Sequence, residues 1–267
     1  MSSTSQQWDN PDSFEEAIRI LRSNLTVVLS DIRRPIVIVT SSNPGEGKTA
    51  LSAKLALSFA DAGQRVVLVD LDLRNATAHR MLNTHNDFGA TDVLLGRRKL
   101  QDSIQHLELR SSREADPKSL YFLGTGPPVS NPTELLGSAR TGRLLDSLSV
   151  QADLVLLDTP PVLPVADTLV VGRMASGALL VVETRTTPYG AVQKAKDLLI
   201  RNQTRLLGVV LNKFQHRDAD PSYGYGYGYG LAGRGAADEM ADSWTSEDLL
   251  AWEGGPAGNG SDHRGFD

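Results

Sequence analysis

Residues 41–49 read Ser-Ser-Asn-Pro-Gly-Glu-Gly-Lys-Thr, between the apolar run Pro35–Thr40 and the helix-like stretch Ala50–Ala60. A strand that ends in glycines and restarts as a helix turns backbone N–H groups, and the positive end of a helix dipole, toward one spot, which is what holding a phosphate requires. The candidate nucleotide contacts are Pro44, Gly45, Glu46, Gly47, Lys48, Thr49 and Ala50. Lys48 is placed to reach the β- and γ-phosphates of ATP, and the Thr49 hydroxyl to ligate Mg²⁺. The strict form of this pattern has glycine six residues before the lysine; here that place is Ser42.

Apolar strand candidates recur at Ile36–Val39, Val66–Val69, Leu120–Leu123, Leu154–Leu157, Ala178–Val182 and Leu207–Leu211, with helical patterns between them. Strands that alternate with helices and are apolar on both faces predict an α/β fold: a doubly wound, mostly parallel sheet of the P-loop NTPase type. Ligands of such sheets sit at the carboxyl ends of the strands, where the phosphate loop also lies. Before the first strand, Ser13-x-x-Glu16 has the form of a capping box opening an amphipathic helix. Phe14, Ile18, Leu21, Leu25 and Val28 form its apolar side, and Glu16, Arg19 and Arg22 lie on another. After Phe214 the composition turns to Gly, Ala, Asp, Ser and Pro and periodicity is lost, so the chain divides into a helix over 1–34, a nucleotide-binding domain over 35–214 and a tail over 215–267 expected to be disordered. Within the tail, Tyr223, Tyr225, Tyr227 and Tyr229 alternate with glycine. Taken alone, this run reads equally as an exposed tyrosine array or as a linker without chemistry.

Other classes are disfavoured by composition. The net charge of −5, spread over 267 residues, gives no footprint for nucleic acid. With no cysteine there are no disulfides or thiolate metal sites, and the five histidines lack zinc-ligand spacing. No run of about 18 apolar residues is present, so the expected location is cytoplasmic, and a membrane role would need a partner.

Acidic residues gather where the nucleotide is expected. The second strand runs out as Val66-Val-Leu-Val-Asp70-Leu-Asp72-Leu-Arg74, and the fourth as Leu154-Val-Leu-Leu-Asp158-Thr-Pro-Pro161. Carboxylates at such strand ends can hold the hydration shell of Mg²⁺ and accept a proton from an attacking hydroxyl. A lone Asp at a strand end is often only a solvated turn residue. Three of them around one phosphate loop favour Lys48, Asp70, Asp72 and Asp158 as the catalytic set, with Thr49 and Asp158 toward the metal and Asp70 and Asp72 dividing metal holding and proton acceptance between them.

These residues together resemble the bacterial tyrosine kinases (BY-kinases) of capsular and extracellular polysaccharide synthesis. The likeness spans Ser13 to Tyr229: Glu16-x-x-Arg19-x-x-Arg22, the loop Ser41–Thr49, Asp70-x-Asp72-x-Arg74, Asp158-Thr-Pro-Pro161, Asp92-Val-Leu-Leu-Gly96, Asn131-Pro-Thr-Glu-Leu-Leu136 and the terminal tyrosine cluster. It implies that Glu16, Arg19 and Arg22 assemble a ring of identical subunits, although such charges also suit a solvated helix face. It further implies that Asp70 is the catalytic base with Asp72 and Asp158 near Mg²⁺, that Asn212 contacts adenine, and that the four tail tyrosines accept phosphate in trans. The implied partners are a membrane adaptor of the polysaccharide co-polymerase type, which would recruit the chain to the inner face of the plasma membrane, and a tyrosine phosphatase. In two places the chain departs from the family pattern: Asn75-Ala76 stands where Arg-Pro is common, and Glu183-Thr-Arg185 varies.

The competing reading is a positioning ATPase of the Min and Par type. Those proteins usually carry lysine at the second place of the loop, where this chain has Asn43, and they lack a tyrosine-glycine tail.

Overall fold

The computed structural model describes residues 11–109 and 118–214. The tyrosine cluster, and with it the tail expected to be disordered, lies outside the described residues. Seven strands form one sheet: β1 Ile36–Ser41, β2 Val66–Asp70, β3 Gln105–Leu109, β4 Lys118–Leu123, β5 Leu154–Asp158, β6 Gly177–Glu183 and β7 Leu206–Asn212. Their order is β3-β4-β2-β5-β1-β6-β7, and every pairing is parallel except β3 with β4. The expected doubly wound α/β sheet is therefore present.

Six of the strands coincide with the apolar runs of the sequence. The seventh, β3, was not evident because it needs little apolar content: it is an edge strand whose Leu107 packs toward the core while His106 lies against the Tyr121 ring, 5.0 Å between centroids. Successive residues of the inner strands feed opposite faces. Val37, Val39, Leu68, Leu156 and Val181 pack on one side, and Ile38, Val67, Val69, Leu157 and Leu180 on the other.

The first of these faces is covered by helices α1 Pro11–Val28 and α2 Lys48–Asp61. Within the described residues α1 already runs from Pro11, so Ser13 lies inside the helix rather than at its cap. Its buried stripe is Ile18, Leu25 and Leu29, with Leu21 partly buried, whereas Phe14 and Val28 are exposed. Arg22 donates from Nη1 to the Ser58 carbonyl of α2 at 2.8 Å, which pins one helix to the other.

On the second face lie α4 Ala90–Leu95, α5 Pro132–Leu136, α6 Ala139–Gln151, α7 Asp167–Gly172 and α8 Tyr189–Arg201, while the short α3 Ala78–Met81 packs beside α2. No described helix is long and apolar enough to cross a membrane.

Because Leu25 is 2 % exposed and anchors α1, Leu25→Ala should destabilise the protein by about 2–4 kcal/mol. Calorimetry of the purified variant checks this. A loss below about 0.5 kcal/mol would mean that α1 is an appendage rather than part of the core.

Candidate active site

The sheet order places the candidate residues side by side. Strand β1 lies between β5 and β6, and β5 lies between β1 and β2, so the carboxyl ends of β1, β5 and β2 adjoin. The loop after β1 turns through Gly45 at φ 85° and Gly47 at φ 93°, conformations that only glycine adopts without strain. Glycine at 47 is required twice over, since a Cβ there would stand 2.0 Å from the Asn212 side-chain nitrogen. Glu46, though buried, serves the loop's shape: it accepts hydrogen bonds from the Ser42 N–H at 2.8 Å and the Thr187 hydroxyl at 2.6 Å. The second place of the loop, Asn43, reaches back to the same carboxylate at 3.4 Å.

Lys48 opens α2 and is nearly buried. Its Nζ lies 2.8 Å from Asp72 Oδ2, 3.2 Å from Thr49 Oγ1 and 3.9 Å from Asp158 Oδ1. Asp70 and Asp158 end adjacent parallel strands and are register partners. Asp70 is fully buried and holds the turn that follows it, accepting from the N–H groups of Asp72 and Ala78 at 3.1 Å each. Asp72 likewise accepts from the Asn75 N–H, so the Asn75-Ala76 departure leaves a formed turn.

Two carboxylates in register and out of water repel each other's charge. Burial, and after it the neighbouring Asp158, push the Asp70 carboxyl up to about 8. Burial also pushes Asp158 up to about 6, against the opposing pull of Lys48 and hydrogen bonds from Thr49 and Ser52. For Lys48, burial alone would lower the pKa, but the carboxylates of Asp158 and Asp72 outweigh it and hold the ammonium above its usual value. The ammonium thus stays charged while Asp70 and Asp158 are driven toward neutrality, because desolvation penalises the more deeply buried partners more.

Asp158 Oδ2 is buried and has no hydrogen-bond partner among the described residues. A buried carboxylate oxygen left without a donor, beside the Thr49 hydroxyl, fits a divalent cation. Thr49, Asp72 and Asp158 are the residues that would hold Mg²⁺, which supplies positive charge to the phosphates when bound.

Other members of the site carry weaker sequence signals. Ser52 donates to Asp158 Oδ1 at 3.3 Å; its place four residues after Lys48, on the same helix face, is the one signal that points to it. Asn212, expected at the adenine, donates to the Glu46 carbonyl at 2.9 Å, and Lys213 bridges the Gly45 carbonyl at 3.0 Å and Glu183 Oε2 at 2.7 Å. The end of β7 therefore braces the phosphate loop, and Thr187 and Lys213 had no signal at all. The expected ring residues stand apart from this site. Arg19 is exposed and pairs with Glu16 at 2.9 Å and Glu15 at 3.5 Å, whereas Arg22 is engaged with α2.

This fold is shared with known nucleotide-binding proteins. The CobQ/CobB/MinD/ParA nucleotide binding domain matches residues 37–223. Among solved structures, the kinase domain of Escherichia coli tyrosine kinase ETK superposes with a TM-score of 0.72 at 32 % identity, covering 82 % of this chain and 83 % of that domain. The cell division ATPase MinD of Pyrococcus furiosus superposes less closely, with a TM-score of 0.57 at 26 % identity over 70 % of this chain and 76 % of MinD. In sequence, the tyrosine-protein kinase YwqD of Bacillus subtilis is 36 % identical over 197 residues, which is 74 % of this chain and 80 % of YwqD. The tyrosine-protein kinase etk of E. coli K12 is 34 % identical over 205 residues, which is 76 % of this chain but only 27 % of etk. The chain belongs to the bacterial tyrosine-protein kinases, as its sequence motifs implied.

In protein free of nucleotide and metal, Asp158→Asn should raise stability at pH 8. A carboxyl whose folded pKa is raised stabilises fully below its ordinary value, near 3.8, and that contribution is lost as pH rises through about 6. The amide carries no charge at either pH. The expected gain is about 3 kcal/mol, or ~6–12 °C in midpoint at pH 8, shrinking to about 1 kcal/mol at pH 4.5. Thermal melts in chelator check this, and an equal shift at both pH values would assign it to packing instead.

Proposed function

We propose that this chain is an ATP-dependent tyrosine autokinase that phosphorylates Tyr223, Tyr225, Tyr227 and Tyr229 of a neighbouring copy and so regulates capsular or extracellular polysaccharide synthesis. The observation that carries the reading is the convergence of Lys48, Asp70, Asp72 and Asp158 on the end of one phosphate loop. In the transfer, a tail phenol oxygen forms a bond to the γ-phosphorus of ATP and the bond from that phosphorus to the β–γ bridging oxygen breaks, releasing ADP. The phenol proton passes to the ionised form of Asp70, which positive charge arriving with the nucleotide would favour, since burial and Asp158 otherwise keep this carboxyl largely protonated near neutral pH. Lys48 exchanges its contact with Asp72 for phosphate oxygens and stabilises the charge that gathers on them. Glycine beside each tyrosine lets the acceptor backbone approach closely.

Lys48→Met should lower both ATP turnover and self-phosphorylation by at least about 10²-fold with the fold retained. Mass spectrometry of wild-type protein incubated with Mg-ATP should place phosphate between residues 223 and 229. Phosphate confined to Tyr121, Tyr189 or serines would refute the acceptor assignment, and retained activity in Lys48→Met would refute the mechanism.

Assembly follows from the same reading. The exposed Glu16–Arg19 pair would exchange partners across a ring of identical subunits while Arg22 sets the angle of α1 on α2. A membrane adaptor of the polysaccharide co-polymerase type would recruit and activate the ring. Each phosphate adds about −1.5 to −2 charge to the tail, which would loosen the assembly until a tyrosine phosphatase removes it. Replacing Glu16, Arg19 and Arg22 together by Ala should lower the mass measured by light scattering. An unchanged mass would remove this role from the helix.

A further inference from the structure

Beside the catalytic carboxylates lies a second constellation that the transfer chemistry does not use. Arg74 follows Asp72 by two residues, at the edge of an open cavity of about 350 Å³ lined with Ser130, Asn131, Pro132, Thr133 and Glu134. Its guanidinium is gripped from one side. Nε donates to Asp167 Oδ2 at 2.7 Å, and Nη2 donates to Asp167 Oδ1 at 3.1 Å and to Thr133 Oγ1 at 3.0 Å. The Thr133 hydroxyl in turn donates to Asp167 Oδ1, which closes a three-membered network. The Asp167 side chain is 0 % exposed, whereas that of Arg74 is 41 % exposed.

Burying a carboxylate completely to hold one half-exposed cation adds little to stability, since the desolvation cost consumes most of the Coulombic gain. What it does provide is a fixed direction for a planar group. With Nε and Nη2 committed, the N–H pair of Nη1 has no acceptor among the hydrogen bonds of the described residues. Because Asp167 already neutralises the charge of Arg74, these donors suit a neutral oxygen, such as a peptide carbonyl, better than an anion.

We propose that Arg74 and the Asn131–Glu134 turn form the subsite for the acceptor main chain, with Asp167 and Thr133 as positioning residues that aim the guanidinium at a backbone carbonyl beside the tyrosine to be modified. This rests on the tyrosine-acceptor reading above and deepens it. A tyrosine flanked by glycines exposes its carbonyls without side-chain obstruction, so the repeat Tyr223–Gly230 is a chemical match to a donor that reads main chain rather than side chain. The subsite should accept any glycine-flanked tyrosine segment and discriminate against bulky neighbours.

The test uses the full chain with its four tail tyrosines replaced by Phe, and a synthetic peptide of residues 220–230 as acceptor in trans. Peptide phosphorylation is measured against peptide concentration at saturating Mg-ATP, in this background and with Arg74→Lys, Asp167→Asn or Thr133→Val added. Arg74→Lys and Asp167→Asn should raise the peptide KM about tenfold, and Thr133→Val about threefold, each with a much smaller change in kcat. A peptide whose flanking glycines are replaced by Val should lose affinity in the background enzyme and lose little more in Arg74→Lys. Should Asp167→Asn fail to fold, Arg74→Lys, altered only at its half-exposed end, carries the test. An unmoved peptide KM, or a fall confined to kcat together with lost affinity for Mg-ADP, would overturn the subsite and leave the pair a brace for the Asp72 turn. A background enzyme that phosphorylates no peptide would overturn the tyrosine-acceptor reading itself, and the subsite with it.

Discussion

One ammonium shared among buried carboxylates governs the nucleotide end of this molecule. Parallel pairing of β2 with β5 places Asp70 and Asp158 in register, and the turn after β2 brings Asp72 to Lys48. Without the lysine, three acids within reach of one another in a dry site would drive the strand ends apart or take up protons. With it, the cluster is still short of positive charge, and burial first, then neighbouring carboxylates, raise the affinity of Asp70 and Asp158 for protons. The same deficit makes the site receptive to a cation arriving with nucleotide phosphates. Hydrogen bonds from backbone N–H groups to Asp70 and Asp72 fix where that charge is held, so little reorganisation is required when the ligand enters.

The rest of the fold can be understood as support for that cluster. Each inner strand is apolar on both faces, and helices from both sides lock the strand ends in place. The phosphate loop is braced independently, by Thr187 on the loop after β6 and by Asn212 and Lys213 at the end of β7. These contacts arrive from strands that carry none of the three clustered aspartates. The shape of the loop is therefore set by parts of the sheet remote from the acids, and the position of the acids by β2 and β5.

Much of this was legible before any coordinates. The phosphate loop, six of seven strands, and the aspartates at the ends of the second and fifth strands follow from apolar runs and spacing, because parallel strands must be apolar on both sides and ligand-binding residues must follow their carboxyl ends. Strand β3 is hidden because an edge strand packs few residues, and Ser13-x-x-Glu16 imitates a cap although Ser13 already lies within α1. Contacts between residues distant in sequence left no local trace. Nothing near Thr187 points to Glu46, 141 residues away, and nothing near Asp167 points to Arg74, 93 residues away. Such partners are set by topology, which periodicity alone does not specify.

The fold shared with MinD sharpens the question of what separates a kinase from a hydrolase on one scaffold. The nucleotide-binding architecture is common to both, so it accounts for a nucleotide site and leaves the choice between water and phenol open. On the reading proposed above, that choice is made where the acceptor enters, beside the Asp72 turn. Here the chain leaves the Asp72 turn through Arg74 and meets the Asn131–Glu134 turn, with a fully buried Asp167 holding the two together. A water molecule needs no such surface. A peptide does, because a phenol is brought into line with the γ-phosphorus only if the backbone carrying it is held, and orienting the two reactants is itself a large part of the rate.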